Sequence, residues 1–365
     1  MRSVAFFVLA IVLCVVVVVT TLWLNAPIDA KAWQPARAQQ LSANDRLQDI
    51  PLIARGKLAG AEDVHPVREA DRPQWLVYTG QSNGDIVRIS RDDEIEVLAN
   101  TGGHPLGLAL DQSERLVIAD AEQGLLRLDL DTGALETLVP AGGPMALSFV
   151  DDVDIADDGI IYFSDASSRS AMDELQLEIL EARPHGRLFA YDPSAAEGER
   201  LTLLLDKLFF ANGVAVAADQ QSVLVNETFR YRVLRYWITG PKAGQSEVFA
   251  DRLPGFPDGI SRGSDGRYWV ALFAPRSAAL DKTHPYPFIK ELIAALPKRL
   301  QPKATRHGAI LALNEQGEVL ENLQDPTGEH VWEITSVEEG EDGTLYLGTL
   351  TGNRIGVVTA IPEAR

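Results

Sequence analysis

Six short apolar runs are each preceded, at a similar distance, by a side chain that could do chemistry. These are Glu62 in GAEDV, His104 in GGHPLGLAL, Asp151 in VDDVDIA, Asn212 in ANGVAVA, Asp258 in FPDGISRG and Ser336 in EITSVEEG. Three carboxylates and a carboxamide, without sulfur or several imidazoles, form a donor set for a hard cation. Ca²⁺ comes first, with Mg²⁺ or Mn²⁺ behind. Without a cation, crowding three carboxylates would cost on the order of several kcal/mol. Asp-Gly and Asn-Gly pairs also serve as plain turn residues. That reading fits less well for Glu62, Asp151, Asn212 and Asp258 in the same phase of four different repeats.

The elements that must position these groups are strands. A two-strand phrase recurs six times, its first half reading WLVYTG from Trp75, RLVIAD from Arg115, IIYFSD from Ile160, SVLVNE from Ser222, RYWVAL from Arg267 and TLYLGT from Thr344. Second halves follow as DIVRI, LLRLDL, RLFAYD, RVLRYW, AILALN and RIGVVT. Asp158-Gly159, Asp265-Gly266 and Asp342-Gly343 supply hairpin-turn chemistry before three of the first halves. Six such units, each of roughly 45 residues, predict an all-β, six-bladed propeller with four-stranded blades. The innermost strand of a blade precedes the middle ones, so the six polar residues would converge at one mouth of the central channel. Two inserts interrupt the pattern. Helical spacing predicts one short helix over Met172–Ala182 and another around Phe288, Leu292 and Leu296, stopped by Pro297. Both inserts read equally as lids over a binding site or as covers for blade edges.

The 365 residues carry 33 basic and 52 acidic side chains, a formal net charge of −19. Nucleic acid is therefore excluded as a partner, because phosphate binding needs concentrated Lys and Arg. The single cysteine, Cys14, excludes an internal disulfide framework and Cys-based zinc clusters. G-x-S-x-G occurs as Gly80-Gln81-Ser82-Asn83-Gly84 and Gly259-Ile260-Ser261-Arg262-Gly263, but neither is followed by a helix pattern, so no nucleophile elbow is present; nor is an H-E-x-x-H or phosphate-loop motif, and the histidines are scattered. Val4 to Leu24 runs without a charge and would span roughly 30 Å as a helix, one hydrocarbon core. Arg2 precedes it, which predicts a cytoplasmic N-terminus and an exported body. A cleaved signal peptide, with Ala30-Lys31-Ala32 as its A-x-A site, is the rival, but its apolar core is normally shorter. The expected organisation is a membrane anchor over 1–25, a stalk over 26–55 and the propeller over 56–365. Asn226-Glu227-Thr228 is a glycosylation sequon in an exported chain.

The stretch from FFANGVAVAADQQSVLVNETFRYRVLRYW through FADRLPGFPDGISRGSDGRYWVAL strongly resembles the strictosidine synthase-like family. HPLGLALD, VDDVDIADDGIIYFSDASS and EDGTLYLGTLTGNRIG extend the resemblance over nearly all of 55–358, nearest to the branch of adipocyte plasma membrane-associated proteins. The wider superfamily includes gluconolactonases and paraoxonase-type arylesterases, six-bladed propellers with a divalent cation in the channel. The resemblance implies that Glu62, Asp151, Asn212 and Asp258 match the metal ligands, with Asp151 standing where family members more often carry Asn. His104 lies near the histidine proposed as base in the arylesterases. True synthases use a glutamate in the last blade, and Ser336 appears at the matching position, with Glu333 three residues away. A hydroxyl cannot abstract a proton near neutral pH.

These readings predict a membrane-anchored, Ca²⁺-dependent hydrolase of small apolar esters or lactones, with Asp151 or His104 as base. Phe256, Phe273 and Trp332 near the mouth favour an apolar ligand. Two alternatives stand beside it: a non-catalytic propeller binding a protein or lipid, and an amine–aldehyde condensation using Glu333.

Overall fold

The computed structural model describes residues 2–68, 75–143 and 145–359, which form two compact units. The larger comprises Arg37–Met172, Pro184–Arg276 and Thr305–Arg365. It is the six-bladed propeller: six four-stranded antiparallel sheets, whose strands follow chain order in the first five blades. The inner strands are Val64–Arg68, Pro105–Leu110, Val150–Ile155, Ala211–Val216, Gly255–Arg262 and Ile334–Glu339, of blades one to six. Each inner strand touches the next, and the sixth touches the first, so the ring closes. Leu52–Ile53 pairs with Ile355–Val358 and completes the sixth blade from the start of the chain.

The strand phrases found in the sequence are the second and third strands of the blades. Their β-branched and aromatic residues suit a pleated surface buried on both faces. Gly159 and Gly343, at φ of 85° and 78°, make the left-handed turns that the Asp-Gly pairs require. Apolar side chains pack between neighbouring blades. Phe163 and Phe189 of the third blade stack with centroids 5.3 Å apart, in one cluster with Val117 and Leu125 of the second. Trp269 of the fifth blade is buried with Ile334 and Leu347 of the sixth, and its indole N–H donates to Glu339 at 2.7 Å. Residues read as stalk join this packing: Leu47 and Ile50 belong to the same cluster.

The smaller unit comprises residues 1–36 with the two inserts, Asp173–Arg183 and Ser277–Ala304. Its helices are α1 (Arg2–Leu24), α2 (Leu175–Glu181), α3 (Ala278–Thr283) and α4 (Pro287–Ala294). The first insert carries the expected helix, ended by Ala182 in the left-handed conformation. The second carries α4 and also α3, which the apolar spacing did not reveal. The Ser277 hydroxyl caps α3 by accepting the Leu280 N–H. Ile28, Ala30, Leu180 and Ala294 form the core of this unit. Glu181 ties in the N-terminal segment: its carboxylate accepts the Asp29 N–H at 3.0 Å and its carbonyl accepts the Lys31 N–H at 2.8 Å.

Candidate metal centre in the propeller channel

Register decides which side chains meet. In blades two to six the inner strand carries a bulge against the second strand, between Pro105 and Leu108, Val150 and Val153, Ala211 and Val214, Pro257 and Ile260, and Ile334 and Val337. The residues just beyond these bulges are Leu108, Val153, Val214, Ile260 and Val337. In blade one, whose ladder runs without a bulge, Val64 takes the same place by hydrogen bonding, since Asp63 accepts the N–H groups of Val64 and Leu108 as Asp152 accepts those of Val153 and Val214. Counting two back gives Glu62, Leu106, Asp151, Asn212, Asp258 and Thr335; counting one back gives Asp63, Gly107, Asp152, Gly213, Gly259 and Ser336. Consecutive residues of a regular strand point to opposite faces. A bulge re-aims them, and here both Asp151 and Asp152 line one cavity.

That cavity, of about 180 Å³, is lined by Glu62, Asp63, Asp151, Asp152, Asp154 and Glu338, together with Asn212, His65, Arg262 and Ser336. The carboxylates divide by their partners. Asp63 accepts the N–H of Val64 and, across to the next blade, of Leu108, both at 2.8 Å. Asp152 does the same with Val153 at 2.8 Å and Val214 at 2.7 Å, and Asp154 with Ile155 and Val216, both at 2.7 Å. These three stitch neighbouring inner strands together. The glycines of the same ring leave room for such close approach: a Cβ on Gly107 would lie 2.4 Å from the Asp152 carboxylate, and one on Gly213 would lie 2.4 Å from the Asp258 carbonyl.

Glu62 and Asp151 are different. Among the described residues nothing donates a hydrogen bond to either carboxylate, although both are buried. Burial, then the charges of Asp258 and Asp151, push the Glu62 pKa well up; burial, then Asp258 and Asp152, do the same to Asp151. Burial raises Asp258 to about 7, against the hydrogen bond it takes from Asn212. Burial also raises Asp152 and Glu338 well above the usual range, and Asp63 to about 6. The His65 imidazole, pushed down to about 4 by burial, is neutral and compensates none of this. Arg262 faces Asp154. The unpartnered carboxylates and the Asn212 amide suit a hard divalent cation in donor chemistry. As they stand, no three His, Cys, Asp or Glu side chains among the described residues are drawn into a ready ion cage.

The four expected ligands thus fall in one ring. Glu62, Asp151 and Asn212 line the cavity, whereas Asp258 is not among its lining residues and joins them through Asn212 and through its charge on Glu62 and Asp151. His104 is two residues ahead of that ring, whose second-blade member is Leu106. Its N–H donates to Asp120 at 3.0 Å, and among the described residues it does not line the cavity. Ser336 lies in the stitching ring, beside Asp63, and Thr335 takes the ligand phase, donating to the Glu62 carbonyl at 2.6 Å. Glu333 sits outside the cavity lining at φ 47°, its carboxylate accepting from the Thr351 hydroxyl. Glu338, His65 and the three stitching carboxylates escaped the sequence reading. The doublets Glu62-Asp63 and Asp151-Asp152 were the visible signal of Asp63 and Asp152. Of the apolar residues expected at the mouth, Phe256 is buried against Tyr231, with ring centroids 4.9 Å apart. Trp332 has the guanidiniums of Arg306 and Arg354 at 3.9 and 5.0 Å from its ring centroid. Asn226 is fully buried and its amide donates to the Asp258 carbonyl, so the sequon supports the site backbone.

Comparison with known proteins fits this architecture. The strictosidine synthase family model matches residues 151–241, the third blade with the first insert and the first three strands of the fourth blade. An adipocyte plasma membrane-associated protein of Salmo salar is 36% identical over 331 residues, which cover 84% of this chain and 77% of the relative. A strictosidine synthase-like protein of Arabidopsis thaliana is 30% identical over 90% of this chain and 86% of its own length. The chain belongs to the strictosidine synthase-like family. In fold it is similar to a gluconolactonase of Xanthomonas campestris, with a TM-score of 0.59 at 17% identity, covering 90% of this chain and 96% of that one. Membership of the strictosidine synthase-like family gives the propeller frame; the chemistry must come from the residues in the channel.

Proposed function

We propose that this strictosidine synthase-like protein is a membrane-anchored hydrolase of small esters or lactones that works with Ca²⁺ or another hard divalent cation. The observation that carries the reading is the set of buried carboxylates on Glu62 and Asp151, without hydrogen-bond donors, beside Asp258 and Asn212. Glu62, Asp151, Asn212 and Asp258 would hold the ion. Bound there, it would polarise an ester carbonyl and stabilise the developing oxyanion.

The chain's own groups supply the rest. Asp151 takes a proton from water onto a carboxylate oxygen as the water oxygen attacks the carbonyl carbon. In the ion-free site burial and like charge make it more basic than an ordinary carboxylate; a bound cation would offset that repulsion, so its role as base rests on its place in the cavity. Of the two bases considered, Asp151 is favoured over His104, because it lines the cavity. α1, whose Val4–Leu24 segment is long and apolar enough to cross a membrane, would hold the propeller at the exported face with the N-terminus in the cytoplasm.

A second reading, a propeller that binds a protein or lipid without catalysis, is favoured by one observation: the described acidic groups do not form a closed ion cage. The full chain in detergent, assayed on aryl esters and lactones with calcium or with chelator, separates the two. The hydrolase reading expects calcium-dependent turnover that falls about 100-fold or more in Asp151→Ala and survives Glu333→Gln. Turnover that survives Asp151→Ala but is lost in Glu333→Gln would point to the condensation-type carboxylate instead. No turnover on any substrate leaves the binding reading.

A further inference from the structure

The smaller unit shows an apolar surface that its own core does not use. Along α1 the large side chains face outward, from Val4 to Leu24, and none of the span is buried. Its last turn is fixed to α4. The Trp23 indole meets Phe288 edge-on with centroids 5.9 Å apart, and its N–H donates to the Glu291 carboxylate at 2.7 Å. α4 turns Lys290 and Ala294 inward, where Ala294 packs with Ile28, Ala30 and Leu180. On and beside α4, Tyr286, Phe288, Ile289 and Leu300 are exposed by 58%, 46%, 40% and 61%. Lys298, Arg299 and Lys303 follow α4, basic residues in a protein of net charge −19.

Exposed apolar area is costly in water, at about 25 cal/mol per Å², and residues of this size serve a partner when they gather in one patch. Position identifies that partner. The patch begins where a membrane-length helix ends, it presents Trp and Tyr as interfacial belts do, and basic side chains flank it as anionic headgroups favour. We propose that α4 and the turn after it lie in the headgroup layer of the bilayer that α1 crosses, making the second insert a peripheral membrane contact. This rests on the anchoring role given to α1 above.

The test uses the full chain reconstituted into phosphatidylcholine–phosphatidylglycerol vesicles. Bimane is placed on native Cys14, or at Ile289→Cys or Leu300→Cys with Cys14→Ser. Lipid-borne nitroxides near the headgroups should quench positions 289 and 300 several-fold more than aqueous iodide does, and nitroxides deep in the acyl chains should quench Cys14. Quenching of 289 and 300 by iodide but not by lipid overturns the proposal. Protection from both quenchers places a protein, such as a second copy, on the patch and also overturns it. If Cys14 is quenched and 289 and 300 are not, the peripheral contact alone fails. If Cys14 is not quenched either, the anchoring reading fails and takes this inference with it.

Discussion

Replacing Asp258 by asparagine should have opposite consequences with and without a divalent cation. The residue is buried, and its pKa stands at about 7 rather than 3.8, chiefly through burial. Its ionised form is therefore disfavoured in the folded, ion-free protein. Keeping the group charged in the folded, ion-free protein therefore costs on the order of a few kcal/mol. The sign follows from proton binding. A carboxyl with a raised folded pKa binds more protons when native, so its cost is full above about pH 7, shrinks steadily as pH falls below that value and is gone only near the ordinary value of 3.8. Asparagine has nearly the same shape, carries no charge and keeps an oxygen that can accept from Asn212. In chelator at about pH 8, Asp258→Asn should thus melt above wild type, by an amount bounded by that penalty. Calcium should raise the melting temperature of wild type, as a ligand bound by the native state alone must, and should raise the variant little. Scanning fluorimetry of the full chain in detergent reads all four conditions. A variant that melts below wild type in chelator, or that gains from calcium as much as wild type does, refutes the argument that Asp258 is an uncompensated ion ligand.

Three further outcomes follow from the same geometry. Asp165→Ala should destabilise the fold by about 3 kcal/mol in chemical denaturation, because Arg187 and the N–H groups of Ser148 and Phe149 lose a buried acceptor; its calcium response should persist, and loss of that response would place Asp165 in the ion site. Ion-free stability should fall as pH rises from about 4 to about 7, since Asp63 at about 6 and Asp258 at about 7 bind extra protons in the native state. His65, depressed to about 4, acts in the opposite sense between 4 and 6.5 but is outnumbered by raised carboxyls, so urea titrations showing stability rising with pH across that window would count against the buried acidic channel. Expression through a glycosylating secretory route should add no glycan at Asn226, and Asn226→Gln should leave electrophoretic mobility unchanged, because the amide is buried and engaged with the Asp258 carbonyl.

The blades were legible because a repeated local chemistry writes them. Alternating Val, Leu and Tyr runs with Asp-Gly turns recur six times, and each run became a paired strand. The partners of residues 26–55 were not legible. Leu47 packs with Trp269 and Ile334, and Leu52–Ile53 closes a sheet with strands near the chain's other end. Contacts across such sequence distances leave no local period to read. Helix α3 was missed for a related reason: six residues with a serine cap are too short to show an apolar stripe.

The candidate site shows what phase can and cannot decide. Distance from the second strand picked out Glu62, Asp151, Asn212 and Asp258, which fall in one register ring. The same count chose His104 and Ser336, which fall two residues and one residue away from the ring members Leu106 and Thr335. Strand periodicity alone would put Asp151 and Asp152 on opposite faces. The bulge between Val150 and Val153 turns both into the channel, and their partners then separate their roles. Asp152 holds two backbone N–H groups and is occupied by the fold. Asp151 holds none, so its charge is left for something the chain does not itself supply. Adjacent, chemically identical residues are thus divided into stitch and candidate ligand by hydrogen bonds that the sequence does not encode locally, and the unsatisfied member of each doublet is the one to test for function.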